Sequence, residues 1–324
     1  MRIRSIVISL SASVMLAVQP VIAQEAYPTK PIRIIVGYAA GGSADIAARL
    51  AAEKLSAEFK QPVIVENRAG AGGNIGAELV ARAAPDGYTL LMASTAHIVI
   101  NPSLYKKMTF DPAKDLLPII LMQNEHNLMV VTPSVPATTL KEFIAYAKTT
   151  QKDITFASPG QGTPAHLAGE LMNQAAGLKM VHVPYKGTAS AVTDLLAGHV
   201  TMSIDNMPVL LPQVKAGKLR ALAVASESRA SAAPDIPTIQ EAGLANYVVP
   251  SWKGLMAPTG TPRPIIEKLH AAMAKMLAMP DVQKKMIALG AEPAGGTPEK
   301  FADLIKSDTA KWAKVIKSNG ITLD

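Results

Sequence analysis

The chain has no cysteine among its 324 residues, so no disulfide can staple it and no thiolate can bind metal or act as a nucleophile. Packing alone must hold the fold. Aromatic residues make up only 4%, too few for a site built from stacking platforms for bases or sugars. The formal charge is +7, yet the basic clusters are mere pairs such as Lys106-Lys107 and Lys284-Lys285. Without a dense basic stripe, nucleic acid is disfavoured as a partner. No Gly-rich loop ends in Gly-Lys-Ser or Gly-Lys-Thr, and no Gly-x-Ser-x-Gly elbow occurs. That removes the phosphate-cradling loop and the hydrolase nucleophile turn. The histidines (His97, His126, His166, His182, His199, His270) lack paired metal-ligand spacing, so no metal and no cofactor are expected. Each reads first as a packing or hydrogen-bonding residue, with His97 and His166 set apart by their places beside a strand end or in a first helical turn.

What is present points to an exported, well-packed protein. With 49% hydrophobic residues the chain can bury the cores of one large or two medium domains. Arg2 and Arg4, the apolar run Ile6 to Val18 and the small-residue end Val21-Ile22-Ala23 read as a secretory leader, residues 1–23, cleaved after Ala23. The apolar run is too short for a comfortable membrane span. Gln24 rather than cysteine follows, so a soluble exported protein is expected, not a lipid-anchored one.

After the leader, strand and helix patterns alternate. Ile32–Val36, Val63–Glu66 and Thr89–Ala93 read as strands, with helical spacing over Ser43–Ala57 and Ile75–Ala83. A second series runs from Leu116 to Val224, with strands at 128–132, 154–157, 180–183, 200–204 and 219–224. The polar gap Gln123-Asn124-Glu125-His126 in an apolar run marks one crossing between units, and Tyr247–Trp252 marks the return. Two helices follow, Pro264–Leu277 and a terminal amphipathic one carrying Phe301, Trp312 and Ile316. The fold class is therefore α/β, with mostly parallel sheets covered on both faces. The expected division is lobe 1 at 24–124 plus 250–324 and lobe 2 at 125–249, with a ligand between them.

The chain is organised around Gly41-Gly42-Ser43-Ala44-Asp45, a strand-to-helix turn. Glycine lets backbone N–H groups approach a ligand, and the new helix points its positive end to the same spot. Gly70-Ala71-Gly72-Gly73-Asn74, Ser158 through Thr163, and Tyr185-Lys186-Gly187-Thr188 share the design. If they converge, several helix N-termini hold one anion without a charged side chain. Asp45 in the first helical turn either fixes its loop or meets ligand; Asp205 at a strand end either contacts ligand or caps the next segment. Arg68 reads as a solvated loop residue. Gly160-Gln161-Gly162-Thr163-Pro164-Ala165 fits a relaxed dinucleotide motif, but Val181-His182-Val183-Pro184 stands where the acidic ribose partner belongs, which argues against a nucleotide.

At these loops the sequence resembles the solute receptors of tripartite tricarboxylate transporters, the Bug family. The matching motifs span nearly the whole mature chain. They include Tyr27-Pro28-Thr29-Lys30-Pro31-Ile32-Arg33, the Gly41–Asp45 turn, and Val65 through Gly76. They continue through Ala84-Pro85-Asp86-Gly87-Tyr88, Asn101-Pro102-Ser103-Leu104-Tyr105, His166-Leu167-Ala168-Gly169-Glu170, Val183-Pro184-Tyr185-Lys186-Gly187, Asp194-Leu195-Leu196-Ala197-Gly198 and Gly217-Lys218-Leu219-Arg220. The resemblance implies a periplasmic, two-lobed type 2 "Venus flytrap" that closes on a small organic acid and serves membrane transporter subunits, with no enzymatic activity and as a monomer. By motif matching, Gly41, Gly42, Ser43 and Asp45 with Gly72, Gly73 and Asn74 hold a ligand carboxylate. Ser158, Gly162, Thr163, His166, Tyr185 and Gly187 face its other end. Ser94, Thr95 and His97 fall in a stretch that varies within the family and are candidate specificity residues. Where family members often carry prolines before Gly41, this chain has Tyr38-Ala39-Ala40. A ligand sensor serving a membrane signalling protein and a periplasmic hydrolase using Ser158 are the rival readings.

Overall fold

The computed structural model describes residues 27–323; the leader reading falls outside them. From the start of the described chain, β1 (Ile32–Val36), α1 (Ser43–Phe59), β2 (Val63–Asn67), α2 (Asn74–Ala81), β3 (Thr89–Ser94), α3 (Asn101–Leu104), α4 (Pro112–Asp115) and β4 (Leu116–Glu125) come first. The middle of the chain forms β5 (Asn127–Val131), α5 (Leu140–Thr149), β6 (Thr155–Ser158), α6 (Pro164–Ala176), β7 (Val181–Pro184), α7 (Thr188–Ala197), β8 (Met202–Asn206), α8 (Met207–Lys215) and β9 (Arg220–Val224). The last part adds β10 (Ser251–Pro258), α9 (Arg263–Leu277), α10 (Pro280–Ala288), β11 (Ala291–Gly295) and α11 (Pro298–Ser318).

Two sheets result, one in each lobe. The first has the order β11-β4-β10-β3-β1-β2 and the second β7-β6-β8-β5-β9. Alternation along β1 explains how the first is covered. Ile32, Ile34 and Val36 pack with Ala47, Ala51 and Leu55 of α1 and with Leu269 and Met273 of α9. Ile35 faces the other way, into a core with Ala77 and Val80 of α2 and Phe301 and Trp312 of α11. Apolar β-branched residues on both faces are what a doubly covered sheet requires.

The sheets are mixed, not mostly parallel. Parallel pairing joins β2-β1-β3 and β7-β6-β8. However, β10 runs antiparallel between β3 and β4, and β5 runs antiparallel between β8 and β9. An apolar run carries no direction, so its sequence does not reveal that these two strands enter from the other lobe. Four further elements escape the sequence pattern: the single turn α4; α8, whose Pro208 and Pro212 look like breakers; and the pair α10 and β11, squeezed between Pro280 and Gly296.

The chain passes between lobes at His126 and again at Val249–Ser251, and these passages are tied together. The Asn206 amide donates to Asn127 Oδ1 and to Ser251 Oγ, each at 3.1 Å. Asn127 Nδ2 in turn donates to the Val249 carbonyl at 2.8 Å. Just beyond, Trp252 donates from its backbone N–H to Thr95 Oγ1 at 2.9 Å and from Nε1 to Asp308 Oδ2 at 2.9 Å. Its ring meets Phe301 edge to face. The crossings are therefore anchored by polar groups from both lobes.

Candidate functional site

The carboxyl ends of the parallel strands face each other across the lobes, and their glycine-rich turns meet there. The Ala39 N–H donates to the Lys186 carbonyl at 3.0 Å. Tyr105 OH donates to the Gln161 carbonyl at 3.3 Å. A Cβ on Gly72 would overlap that same Gln161 carbonyl oxygen, and one on Gly162 would overlap Asn101 Oδ1. Glycine is required at both because backbone of one lobe seats against the other. The lobes are closed.

Closure leaves an inner cavity of about 30 Å³, room for a water or two at roughly 10–15 Å³ each. An outer chamber of about 280 Å³ shares Tyr38 and Pro159 with it and reaches Gly70–Gly73, Tyr105, Gly160, Gln161 and Tyr185. A solute of several carbons thus enters by parting the lobes.

Four helices begin at the inner cavity. α1 presents its cap Gly42 with Ser43 and Ala44, α6 its cap Thr163 with Pro164, α7 its first residue Thr188, and α8 its cap Asn206. Leading N–H groups lack intrahelical partners, and each helix places partial positive charge at that end. All four follow parallel strands, α1 after β1 in lobe 1 and α6, α7 and α8 after β6, β7 and β8 in lobe 2. Convergence of this kind suits an anion shared between lobes.

The remaining wall is polar. Tyr38 OH donates to the Gly72 carbonyl at 3.0 Å and lies 3.1 Å from Ser94 Oγ. One side chain therefore ties the first, second and third βα turns of lobe 1. Burial pushes the Tyr38 phenol far above its ordinary range, so it stays neutral. Behind it His97 is fully buried, with Ser94 N–H donating to Nε2 at 3.1 Å and Ser94 Oγ 3.2 Å from Nδ1. Burial, with the nearby Lys253 charge, pushes its pKa down to about 3. His97 is a neutral prop for Ser94.

Charge enters the wall through residues that spacing does not suggest. Lys253 lines the cavity and its Nζ lies 2.8 Å from Glu125 Oε2 and 3.4 Å from Ser251 Oγ. Glu125 Oε1 accepts from Ser43 Oγ and from Gln123 Nε2. The anion-binding reading without charged side chains is thus incomplete, because a buried cation stands at the site. Asp205, on the opposite lobe, is also buried in the wall. Its Oδ1 accepts from Asn206 N–H at 2.7 Å, while Oδ2 has no partner among the described residues. Burial pushes Asp205 up to about 6, against the lowering by the Asn206 N–H, the Thr188 hydroxyl and the Lys253 charge.

Of the residues singled out from sequence, Gly42, Ser43, Ser94, Thr163 and Asp205 line the inner cavity, and Gly72, Gly73 and Tyr185 line the outer chamber. The others stand behind. Asp45 Oδ2 accepts from Gly41 N–H at 3.0 Å and from Arg49 Nε at 2.9 Å. Burial alone would raise its pKa, but those bonds hold it below the usual range, and it braces the turn. Asn74 Oδ1 accepts from Asn101 Nδ2 at 2.7 Å. Thr95 holds Trp252, and Gly187 packs on Ala39. Gly162 N–H donates to His166 Nδ1 at 3.3 Å. His166 stacks on His182, and His182 Nε2 lies 2.7 Å from Ser158 Oγ. The Ser158 hydroxyl also donates to the Gly160 carbonyl at 3.0 Å, so it is engaged within its own loop. Arg68 pairs with Glu66 at the surface. Sequence reasoning misses Tyr38, Thr188, Asn206, Ser251 and Lys253. Their signals are present in part: Thr188 ends the fourth glycine turn, and Ser251 and Lys253 adjoin the return crossing.

Comparison with known proteins agrees with this geometry. The family model described as "Tripartite tricarboxylate transporter family receptor" matches residues 47–321. Protein BugT of Bordetella pertussis is 36% identical over 303 residues, 93% of this chain and 93% of that protein. A solved structure titled "R. palustris Rpa4515 with adipate" is 36% identical with a TM-score of 0.89, covering 91% of this chain and 99% of that one. The structure of MatC from Rhodopseudomonas palustris with bound malate is 32% identical, with a TM-score of 0.84 and coverage of 90% and 100%. The fold is that of a two-lobed periplasmic binding protein, and the chain belongs to the tripartite tricarboxylate transporter receptor family.

Proposed function

We propose that this protein is a periplasmic receptor that captures a small carboxylate-containing organic acid between its lobes and delivers it to the membrane subunits of a tripartite tricarboxylate-type transporter. The observation that carries the reading is the convergence of helix N-termini from both lobes on one interlobe cavity beside a buried lysine. Gly41 to Asp45 and Gly70 to Asn74 supply or brace one wall, and Thr163, Thr188 and Asn206 the other. The carboxylate gains contacts to both walls only when the lobes close, so binding shifts the open–closed balance. Bound adipate and malate in two relatives put C4 to C6 dicarboxylates at the head of the candidate list. The protein acts by binding, as a monomer after removal of residues 1–23, and not by turnover.

A broad organic-acid panel tests the capture step by thermal midpoint and solution scattering. A binding acid raises the midpoint and makes the particle more compact. No response to any acid sinks the reading. Uptake into vesicles holding the membrane subunits, with and without the receptor, tests delivery.

A further inference from the structure

Away from the cleft, a second groove of about 400 Å³ lies between the lobes beside the return crossing. One wall is α6 of lobe 2, with Leu171, Gln174 and Ala175. The other is α11, which packs on the lobe 1 sheet and brings Lys311, Val315 and Asn319. Pro164 of the same α6 lines the inner cavity, so cavity and groove sit about two to three turns apart on one rigid helix. Gln174 Nε2 donates to the Asn319 carbonyl at 2.8 Å, and Tyr247 OH donates to the Ala168 carbonyl. These bonds set the width of the groove in the closed molecule. Parting the lobes shifts α6 relative to α11 and changes it.

The groove is one-sided in charge. Its lining carries one cation, Lys311, and no carboxylate. Lys314 and Lys317 continue from Lys311 at the three-residue spacing that makes side chains neighbours on a helix surface. All three are exposed, and none forms an ion pair among the described residues. Asp308, one turn before Lys311, feels its charge but is buried and held by Trp252 Nε1. Beside the lysine row the walls are apolar, with Leu171, Ala175, Val248 and Val315. A flat lipid surface reaches the lysines and not the concave part. A protruding polypeptide segment reaches both.

Resting on the receptor reading above, we propose that a membrane subunit of the transporter docks in this groove. It does so through an acidic segment that seats apolar side chains between α6 and α11 and lays carboxylates on Lys311, Lys314 and Lys317. Both lobes supply a wall, so the segment fits the closed receptor and discriminates against the open one. Coupling of this kind is reciprocal: solute in the cleft tightens docking, and docking tightens the hold on solute.

Flotation with phosphatidylcholine vesicles holding the membrane subunits tests this, with and without the panel acid that most raises the thermal midpoint. The wild type floats with these vesicles, and the acid tightens docking about fivefold or more, the low end of ordinary coupling between two sites. Lys311→Glu combined with Lys314→Glu weakens docking at least about tenfold, and Ala175→Trp, which fills the groove without changing charge, does the same. Lys284→Glu combined with Lys285→Glu, an equal charge change on α10, docks as the wild type does. Without vesicles the lysine variants bind the acid normally, which separates lost docking from lost folding. Groove variants that float like the wild type overturn the assignment while leaving capture and delivery standing. Equal flotation with phosphatidylglycerol vesicles lacking the subunits marks a lipid-docking face and overturns it too, as does docking that ignores the acid. A wild type that floats with no vesicles overturns it, and delivery falls with it if uptake is also absent. Should no acid bind, the capture reading fails by itself, and the lysine contrast still decides where docking occurs.

Discussion

Lys253 Nζ lies 2.8 Å from Glu125 Oε2 with both side chains almost wholly buried. Glu125 ends β4 at one crossing, and Lys253 sits two residues past the start of β10 at the other. Their strands are antiparallel neighbours, with Lys253 opposite Gln123 and Ser251 opposite Glu125. The pair therefore joins the two crossings on the lobe 1 side, and through Ser43 it also fixes the start of α1.

Removing one partner of such a pair leaves an uncompensated buried charge. Lys253→Met is expected to lose about 3–5 kcal/mol of unfolding free energy in denaturant titration. Lys253→Met combined with Glu125→Gln recovers most of that loss, because the desolvation penalty leaves with the charges. A single-variant cost below about 1 kcal/mol is the value for a solvated surface pair and contradicts the buried role.

Much of this site is legible in sequence, and the part that is not has a physical reason. The turn Gly41-Gly42-Ser43 announces itself locally: a β-branched run, two glycines, a hydroxyl and then helical spacing. Thr163-Pro164 does the same for α6, where the threonine side chain caps His166 N–H and proline starts the helix. Lys253 and Glu125 announce nothing locally, because their meaning depends on β10 lying beside β4. The polar run Gln123 to His126 inside an apolar stretch is the visible half of that pairing. Tyr38 is similar, since its hydroxyl acts on Gly72 and Ser94, residues on the following two turns.

Asp205 is expected to weaken the protein that it serves. Its carboxyl is pushed up to about 6 by burial, so the folded state holds a proton that the unfolded chain gives up between pH 6 and about 4. Its unfavourable contribution is therefore fully present above pH 6 and vanishes below about pH 4. Asp205→Asn keeps the Asn206 N–H bond through its amide oxygen and removes the charge. Without added solute, the variant should gain on the order of 2 kcal/mol at pH 7 and little at pH 4. Equal gains at both pH values contradict the account.

His97 contributes with the opposite sign. Its pKa in the fold is pushed down to about 3 by burial and the Lys253 charge, so the folded protein keeps the ring neutral while the unfolded chain takes up a proton as pH falls through about 6.5. The stability tied to the neutral ring is complete above pH 6.5 and is lost on acidification toward pH 3. His97→Gln removes that term. Plots of unfolding free energy against pH between 6 and 4 should differ in slope by about 1.4 kcal/mol per unit, the wild type losing stability relative to the variant as the pH falls. Parallel plots show that the ring is not buried as a neutral group.

Gly72 tests closure separately from stability. Its φ of 62° lies in the left-handed region, and an added Cβ would overlap the Gln161 carbonyl oxygen of the other lobe. The backbone term costs alanine about 1 kcal/mol in any state of the lobes. The overlap with Gln161 exists only when they are shut, so beyond that backbone cost and the tight approach to Asn101 and Tyr105 of its own lobe, Gly72→Ala penalises the closed form further. A solute that gains its second wall on closure then binds more weakly by at least about tenfold, the factor by which a clash of some 1.4 kcal/mol lowers the closed population. The midpoint of unfolding without solute moves only slightly, and scattering with saturating solute reports a more open particle than the wild type. Gln161 offers only its backbone there, so no side-chain change at 161 should restore closure. Should Gly72→Ala bind and compact like the wild type, the contact between these two loops is not what limits closing.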